Sequence, residues 1–192
     1  MVWSFDGDAV DKPPPGFEFG RTGTGKKGNW QMLADKSAPT APHVLAQLDA
    51  DPTEDRALLA VAGEPLVEVR AKVRCKPISG KVEMACGLVV RHRDENNYYL
   101  ARASGLEKDV TLDVVKDGKR AQLGIWKGAV FGDAWHEIGL IARGNQLEVM
   151  WDGTTLYRVT DGTLTQPGKV GVWTRADSVT YFDDLRVVSL AP

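Results

Sequence analysis

The stretch WHEIGLIARGNQLEVMWDGTTLYRVT, residues 135–160, decides the fold. It contains two dipeptides, Gly144-Asn145 and Asp152-Gly153, that suit two-residue hairpin turns with the twist antiparallel strands require. Pairing outward from Gly144-Asn145 sets Ala142 against Leu147, Leu140 against Val149 and Ile138 against Trp151. Side chains alternate faces along a strand, so a register that matches every apolar residue with another defines one buried face. Past Asp152-Gly153 the same face continues with Val149 opposite Leu156. Residues 135–160 therefore read as a three-stranded meander.

The same logic extends outward. Around Asp117-Gly118, Val114 meets Ala121, Leu112 meets Leu123 and Val110 meets Ile125, while Thr111, Asp113, Gln122 and Trp126 fall on the other face. A hairpin through Asp94-Glu95-Asn96-Asn97 turns Leu88, Val90, Ala101 and Ala103 inward and Arg91, Tyr98 and Arg102 outward. Further β-rich runs occupy 2–5, 17–19, 30–33, 44–48, 57–61, 66–73, 168–174 and 179–188, divided by Gly, Pro, Asp and Asn. No run of 12 residues keeps a helical period. Many short strands without a composition break predict one all-β domain over 1–192, an antiparallel two-sheet sandwich.

Composition narrows the function. The chain has 192 residues, 43% of them apolar and 26% charged, which is ordinary globular composition. Net charge is −2 and the basic residues are scattered, so no stripe exists to neutralise a phosphate backbone. Nucleic acid is not an expected partner. No apolar run approaches the roughly 18–20 residues that span a bilayer, so a soluble chain without membrane insertion is expected. Compartment, export included, and oligomeric state stay open.

Several chemistries fail on spacing. Gly20-Arg-Thr-Gly-Thr-Gly25-Lys26-Lys27 nearly matches a phosphate-cradling P-loop, but Lys27 stands where a hydroxyl must hold magnesium, and Gly28-Asn29 replace the following helix. His43, His92 and His136 are isolated, and neither C-x-x-C, H-E-x-x-H nor G-x-S-x-G occurs. If the segments flanking Pro77-Ile78-Ser79-Gly80 formed a hairpin, Cys75 and Cys86 would sit out of register, so two free, packed cysteines are expected. Glu107, Asp109 and Asp113 are candidate acids, read first as solvated surface carboxylates.

The polar-aromatic face carries the most chemistry. Tyr98, Trp126 and Trp173 are placed there by parity, with Arg91, Arg102, Asp113 and Gln122 nearby. Sugars need this mixture, because their C–H faces pack on aromatic rings and their hydroxyls take planar donors and acceptors. The rival reading is a covered face whose polar residues satisfy one another. No cofactor is required. Asp6 and Asp183 are candidate ligands for a structural calcium if the termini are neighbours, and otherwise cap turns with their carboxylates.

WSFDGD, PPPGFEFGRTGTGKKGNW, VLAQLDADPTEDR, GLVVRHRDENNYYLARASGLEKDVTL, WHEIGLIARGNQLEVMWDG and GKVGVWTRADSVTYFDDLRV together resemble the bacterial 3-keto-disaccharide hydrolase-like domains. These are similar in fold to laminin-G-like and concanavalin A-like lectin and glucanase domains. The resemblance implies a concanavalin A-like jelly roll whose YFDDLRV strand lies beside the N-terminus, with a saccharide or glycoside as partner. For some members it also implies cleavage of glycosides oxidised at the third sugar carbon, by proton abstraction and elimination. Glu107 would then be the base, with Arg91 and Arg102 as electrophiles. The E-x-D-x-E run of laminarinase-type glucanases is missing. A carbohydrate-binding domain is the leading expectation, a 3-keto-glycoside hydrolase or lyase the second, and a structural or protein-interaction module the third.

Overall fold

The computed structural model describes residues 1–128, 131 and 134–191. Among these, the regular structure is fifteen strands: β1 (Val2–Trp3), β2 (Phe17–Thr22), β3 (Trp30–Ala34), β4 (His43–Gln47), β5 (Ala57–Leu66), β6 (Val69–Ser79), β7 (Ala85–Asp94), β8 (Asn97–Ser104), β9 (Asp109–Lys116), β10 (Lys119–Lys127), β11 (His136–Arg143), β12 (Gln146–Trp151), β13 (Thr154–Thr160), β14 (Gly168–Arg175) and β15 (Val179–Ser189). One sheet runs β13-β12-β11-β6-β15-β4-β3, with β1 also on β15, and the other runs β10-β9-β8-β7-β14-β5-β2. All pairings are antiparallel. This is the expected two-sheet jelly-roll sandwich.

The main core lies between the sheets. Val69, Ala71 and Val73 of β6 and Ile138 and Leu140 of β11 face Leu88 and Val90 of β7, Ala101 and Ala103 of β8, and Val110 and Leu112 of β9. Each is buried, and a buried Val, Leu or Ile contributes about 1.5–3 kcal/mol. The β11–β12 register is the predicted one, with Ile138 against Trp151, Leu140 against Val149 and Ala142 against Leu147. At the chain ends Val2 pairs with Arg186 and Trp3 with Leu185, and the amino terminus donates to the Val187 carbonyl at 2.7 Å. The YFDDLRV strand thus lies beside the N-terminus, as expected.

Bulges shift the registers expected for β9–β10 and β12–β13. In β9–β10 the slip falls between Gln122 and Gly124, so Leu112 meets Gly124 and Val110 meets Trp126 instead of Ile125. In β12–β13 a slip between Val149 and Met150 sets Val149 against Tyr157 instead of Leu156. One extra residue exchanges the faces of everything beyond it.

The cysteines are not free. Cys75 and Cys86 form a disulfide with Cα atoms 6.3 Å apart. The expectation failed because β6 and β7 do not pair: they belong to opposite sheets, and 80–84 connects the two layers. The bridge crosses the buried core and ties one sheet to the other.

Candidate functional site

The outer face of the seven-stranded sheet gathers most of the predicted polar and aromatic residues, and much of it is covered. Leu59, Val61, Val89, Tyr98, Leu100, Val115 and Trp173 form a second buried cluster there. The cover comes from the β7–β8 hairpin. Its register breaks between Val90 and Asp94, where Arg91 takes φ 50°, and the tip folds over the sheet. Thr22 on β2 hydrogen-bonds the Glu95 carbonyl and the Tyr98 hydroxyl, and the Glu95 side chain lies against Gly20, where a Cβ would come within 2.9 Å of it. Burial raises the Tyr98 phenol above its ordinary pKa.

Arg102 centres a buried charge network. Its guanidinium donates to Glu83 at 2.8 Å, Asp109 at 2.9 Å and Glu107 at 3.2 Å. Ser104 adds a bond to Glu83 and Lys127 one to Asp109, at 2.7 and 2.8 Å. Burial alone would lower the Arg102 pKa, but the surrounding carboxylates, Glu83 first, raise it. Asp109 and Asp113 are buried, which corrects their reading as solvated surface acids, whereas the Glu107 side chain is 55% exposed. Their cations, Arg102, Lys127 and Arg120, replace water as their partners.

A cavity of about 290 Å³ opens beside this network, lined by Thr22, Asp55, Tyr98, Arg120, Trp173 and Arg175. The Arg120 guanidinium sits 5.7 Å from the Trp173 ring centroid and donates to Asp113 at 2.8 Å. Trp173 can lie against β7 because its neighbour there is Gly87, where a Cβ would meet the indole at 2.9 Å. Trp173 and Tyr98 are buried beneath this lining, so what the cavity presents to a ligand is the partly exposed Arg120 and Arg175 guanidinium groups, planar donors that suit sugar hydroxyls.

A second cavity, about 440 Å³, lies on the other side of the Thr22–Glu95 contact and is lined by Glu18, Lys27, His92, Glu95, Pro167 and Lys169. Glu18 pairs with Lys169 and Lys27 with Glu95, the latter at 3.2 Å. The His92 ring stacks on Tyr98 with centroids 5.8 Å apart, and burial lowers its pKa below the ordinary imidazole value.

The structure thus brings Tyr98, Arg102, Glu107, Asp113 and Trp173 to one face, with exposed Gln122 at its edge strand paired with Asp113. It separates two others. The β10 bulge turns Trp126 inward, against the main core. The Arg91 bulge sends that side chain to the end of the sandwich, where it donates to the carbonyls of Val67, Leu164 and Gly144. Arg91 is therefore not beside Glu107 and Arg102. Sequence reasoning missed Arg120, Arg175, Thr22 and the second cavity. Arg120 was within reach, since it shares parity with Gln122 two residues on.

At the corner where the termini meet, Asp183 accepts from the amides of Thr40 and Asp184, at 2.8 and 2.7 Å. Asp184 accepts from the Thr40 hydroxyl and from Arg186, and Asp6 from the His43 amide. Burial, and then the charges of Asp184 and Asp6, push the Asp183 pKa up to about 6. Asp183 and Asp184 use both carboxylate oxygens, and Asp6 one, to accept from amide, hydroxyl and guanidinium donors. No group of three or more His, Cys, Asp or Glu among the described residues is arranged to hold a metal. The bonds these carboxylates make are those of turn capping.

Solved structures share the architecture. The carbohydrate-binding module CBM66 from Bacillus subtilis superposes with a TM-score of 0.71 at 14% identity, covering 89% of this chain and 95% of that one. The exoplasmic/lumenal domain of VIP36, in a Ca2+/Man-bound form, gives 0.62 at 12% identity over 93% and 85%. A β-glucanase from Bacillus licheniformis gives 0.57 at 12% identity over 92% and 99%. The chain has the concanavalin A-like lectin and glucanase fold. No protein-family model matches the sequence, and no curated protein matches it either.

Proposed function

We propose that the protein is a carbohydrate-binding domain that holds a saccharide on the outer face of its seven-stranded sheet. The observation that carries this reading is the 290 Å³ cavity over buried Trp173, where Arg120 and Arg175, their side chains 31% and 28% exposed, present guanidinium donors to solvent. A carbohydrate-binding module and a mannose-bound domain among the structures of this fold support it. The disulfide fits an oxidising compartment, so export belongs to the same proposal. The test is a glycan array followed by calorimetry on the best sugar. Saturable binding that Arg120→Ala and Arg175→Ala each weaken at least several-fold is the expected result. An array without any retained sugar would sink the reading.

The enzymatic alternative, a 3-keto-glycoside hydrolase or lyase, draws on Glu107, an exposed carboxylate that buried Arg102 holds at 3.2 Å while also holding Glu83 and Asp109, so that Glu107 would act as the base and Arg102 would position it. It predicts turnover of a synthetic 3-keto-glucoside that Glu107→Gln abolishes. Turnover unchanged in that variant removes Glu107 as the base.

A further inference from the structure

Strands β8 and β2 are four strand spacings apart in the seven-stranded sheet, roughly 19 Å if the sheet were flat. Tyr98 on one nevertheless hydrogen-bonds Thr22 on the other at 2.8 Å. The β7–β8 hairpin therefore crosses the outer face of β14 and β5 as a strap and ends on β2. Three contacts hold it there: Thr22 on the Glu95 carbonyl, Lys27 on the Glu95 carboxylate, and Glu95 against Gly20. From the other flank the β9–β10 turn braces it, with the Gly118 amide donating to the Asn96 carbonyl at 3.0 Å.

No tunnel runs beneath. Leu59, Val61, Leu100 and Tyr98 are buried together in the sheet face and the strap's base. The face is consequently split into the cavity at Trp173 and Arg175 and the cavity at His92 and Lys169. A polysaccharide bound along its length needs a groove open at both ends, and here the strap closes each cavity on its inner side.

We infer that this face takes a single sugar unit or the end of a sugar chain, and does not take an internal stretch of polymer; this rests on the saccharide reading above. A chain end enters a cavity blocked on one side and leaves the rest of the chain in solvent, whereas an internal stretch would have to pass through the Thr22–Glu95 contact. The mixed lining of the His92 cavity, with its paired Glu18–Lys169 and Lys27–Glu95 charges, suits a neutral polyhydroxylated unit.

Glucan, xylan, fructan and mannan polymers test this, each titrated into the intact protein before and after limited acid hydrolysis. The quantity read is protein bound per gram of sugar at saturation. Chain-end recognition makes it rise by the same factor as the number of chain ends per gram. A capacity that stays constant while ends multiply overturns the inference and leaves saccharide binding standing. Failure of every polymer and its fragments to bind removes the saccharide reading, and the inference with it.

Discussion

The Tyr98 hydroxyl and the Thr22 hydroxyl meet at 2.8 Å across a sheet in which three strands separate their own. Thr22 is the hub, because it also bonds the Glu95 carbonyl. Thr22→Val keeps the shape and leaves two groups of the strap without that partner, so it should cost about 1–3 kcal/mol, whereas Tyr98→Phe should cost about 1 kcal/mol. Urea unfolding of both variants checks the order. A Thr22→Val variant no less stable than Tyr98→Phe would show that the strap does not depend on this contact.

Arg102 should be the most costly of the predicted site residues to remove. Arg102→Met takes the central cation from Glu83 and Asp109, which keep Ser104 and Lys127 as partners in a buried setting, and breaking a buried ion pair from one side costs about 3–5 kcal/mol. Glu107→Gln, at the exposed rim of the same network, should stay within about 1 kcal/mol. Denaturant midpoints of the two variants measure this contrast. They also show whether a loss of turnover in Glu107→Gln is chemical or a loss of fold.

The outer face was partly legible for a physical reason. Turns such as Gly144-Asn145 and Asp117-Gly118 fix a register from their own ends, so Ile138, Leu140, Val114 and Ala121 could be assigned partners. Parity carries that register only until a bulge. Gly124, a glycine inside a strand, was the available sign that β10 slips, and the polar run Arg91-His92-Arg93-Asp94 was the sign in β7. Trp126 and Arg91 were misplaced because both lie at or beyond such a slip. Thr22 and Glu18 were out of reach altogether. Strand β2 pairs with β5, and the segment between them contains β3 and β4 of the other sheet, so no turn relates the two.

The Cys75–Cys86 bridge should stabilise the sandwich directly. It closes a short loop and joins the two sheets through their shared core. Replacing both cysteines by alanine should cost about 2–4 kcal/mol, a fall in melting temperature of roughly 4–16 °C. Scanning calorimetry of the double variant, and of the native protein with and without reductant, measures it. An unchanged melting temperature would mean that packing alone holds the layers.

Calcium at the Asp183 corner is separable from everything above. With its carboxylates engaged by amide, hydroxyl and guanidinium donors, the corner should hold without a metal. A chelator should then leave the melting temperature unchanged. A fall that added calcium reverses would establish the ion as structural.

The same corner sets a pH dependence. Asp183 is fully buried and its pKa is pushed up to about 6, from an ordinary 3.8. The folded state thus binds this proton more tightly than the unfolded chain, so the group favours folding at low pH. That contribution is complete below about 3.8, declines as pH rises through about 6, and is absent above it. A shift of this size corresponds to roughly 3 kcal/mol at most. Asp183→Asn cannot titrate, so the comparison is of slopes and not of absolute stabilities. Between pH 4 and 7.5 the native protein should lose stability relative to Asp183→Asn, measured by urea unfolding at each pH. Parallel curves for the two proteins would mean that the Thr40 and Asp184 amides stabilise the charged carboxylate enough to cancel the effect of its burial.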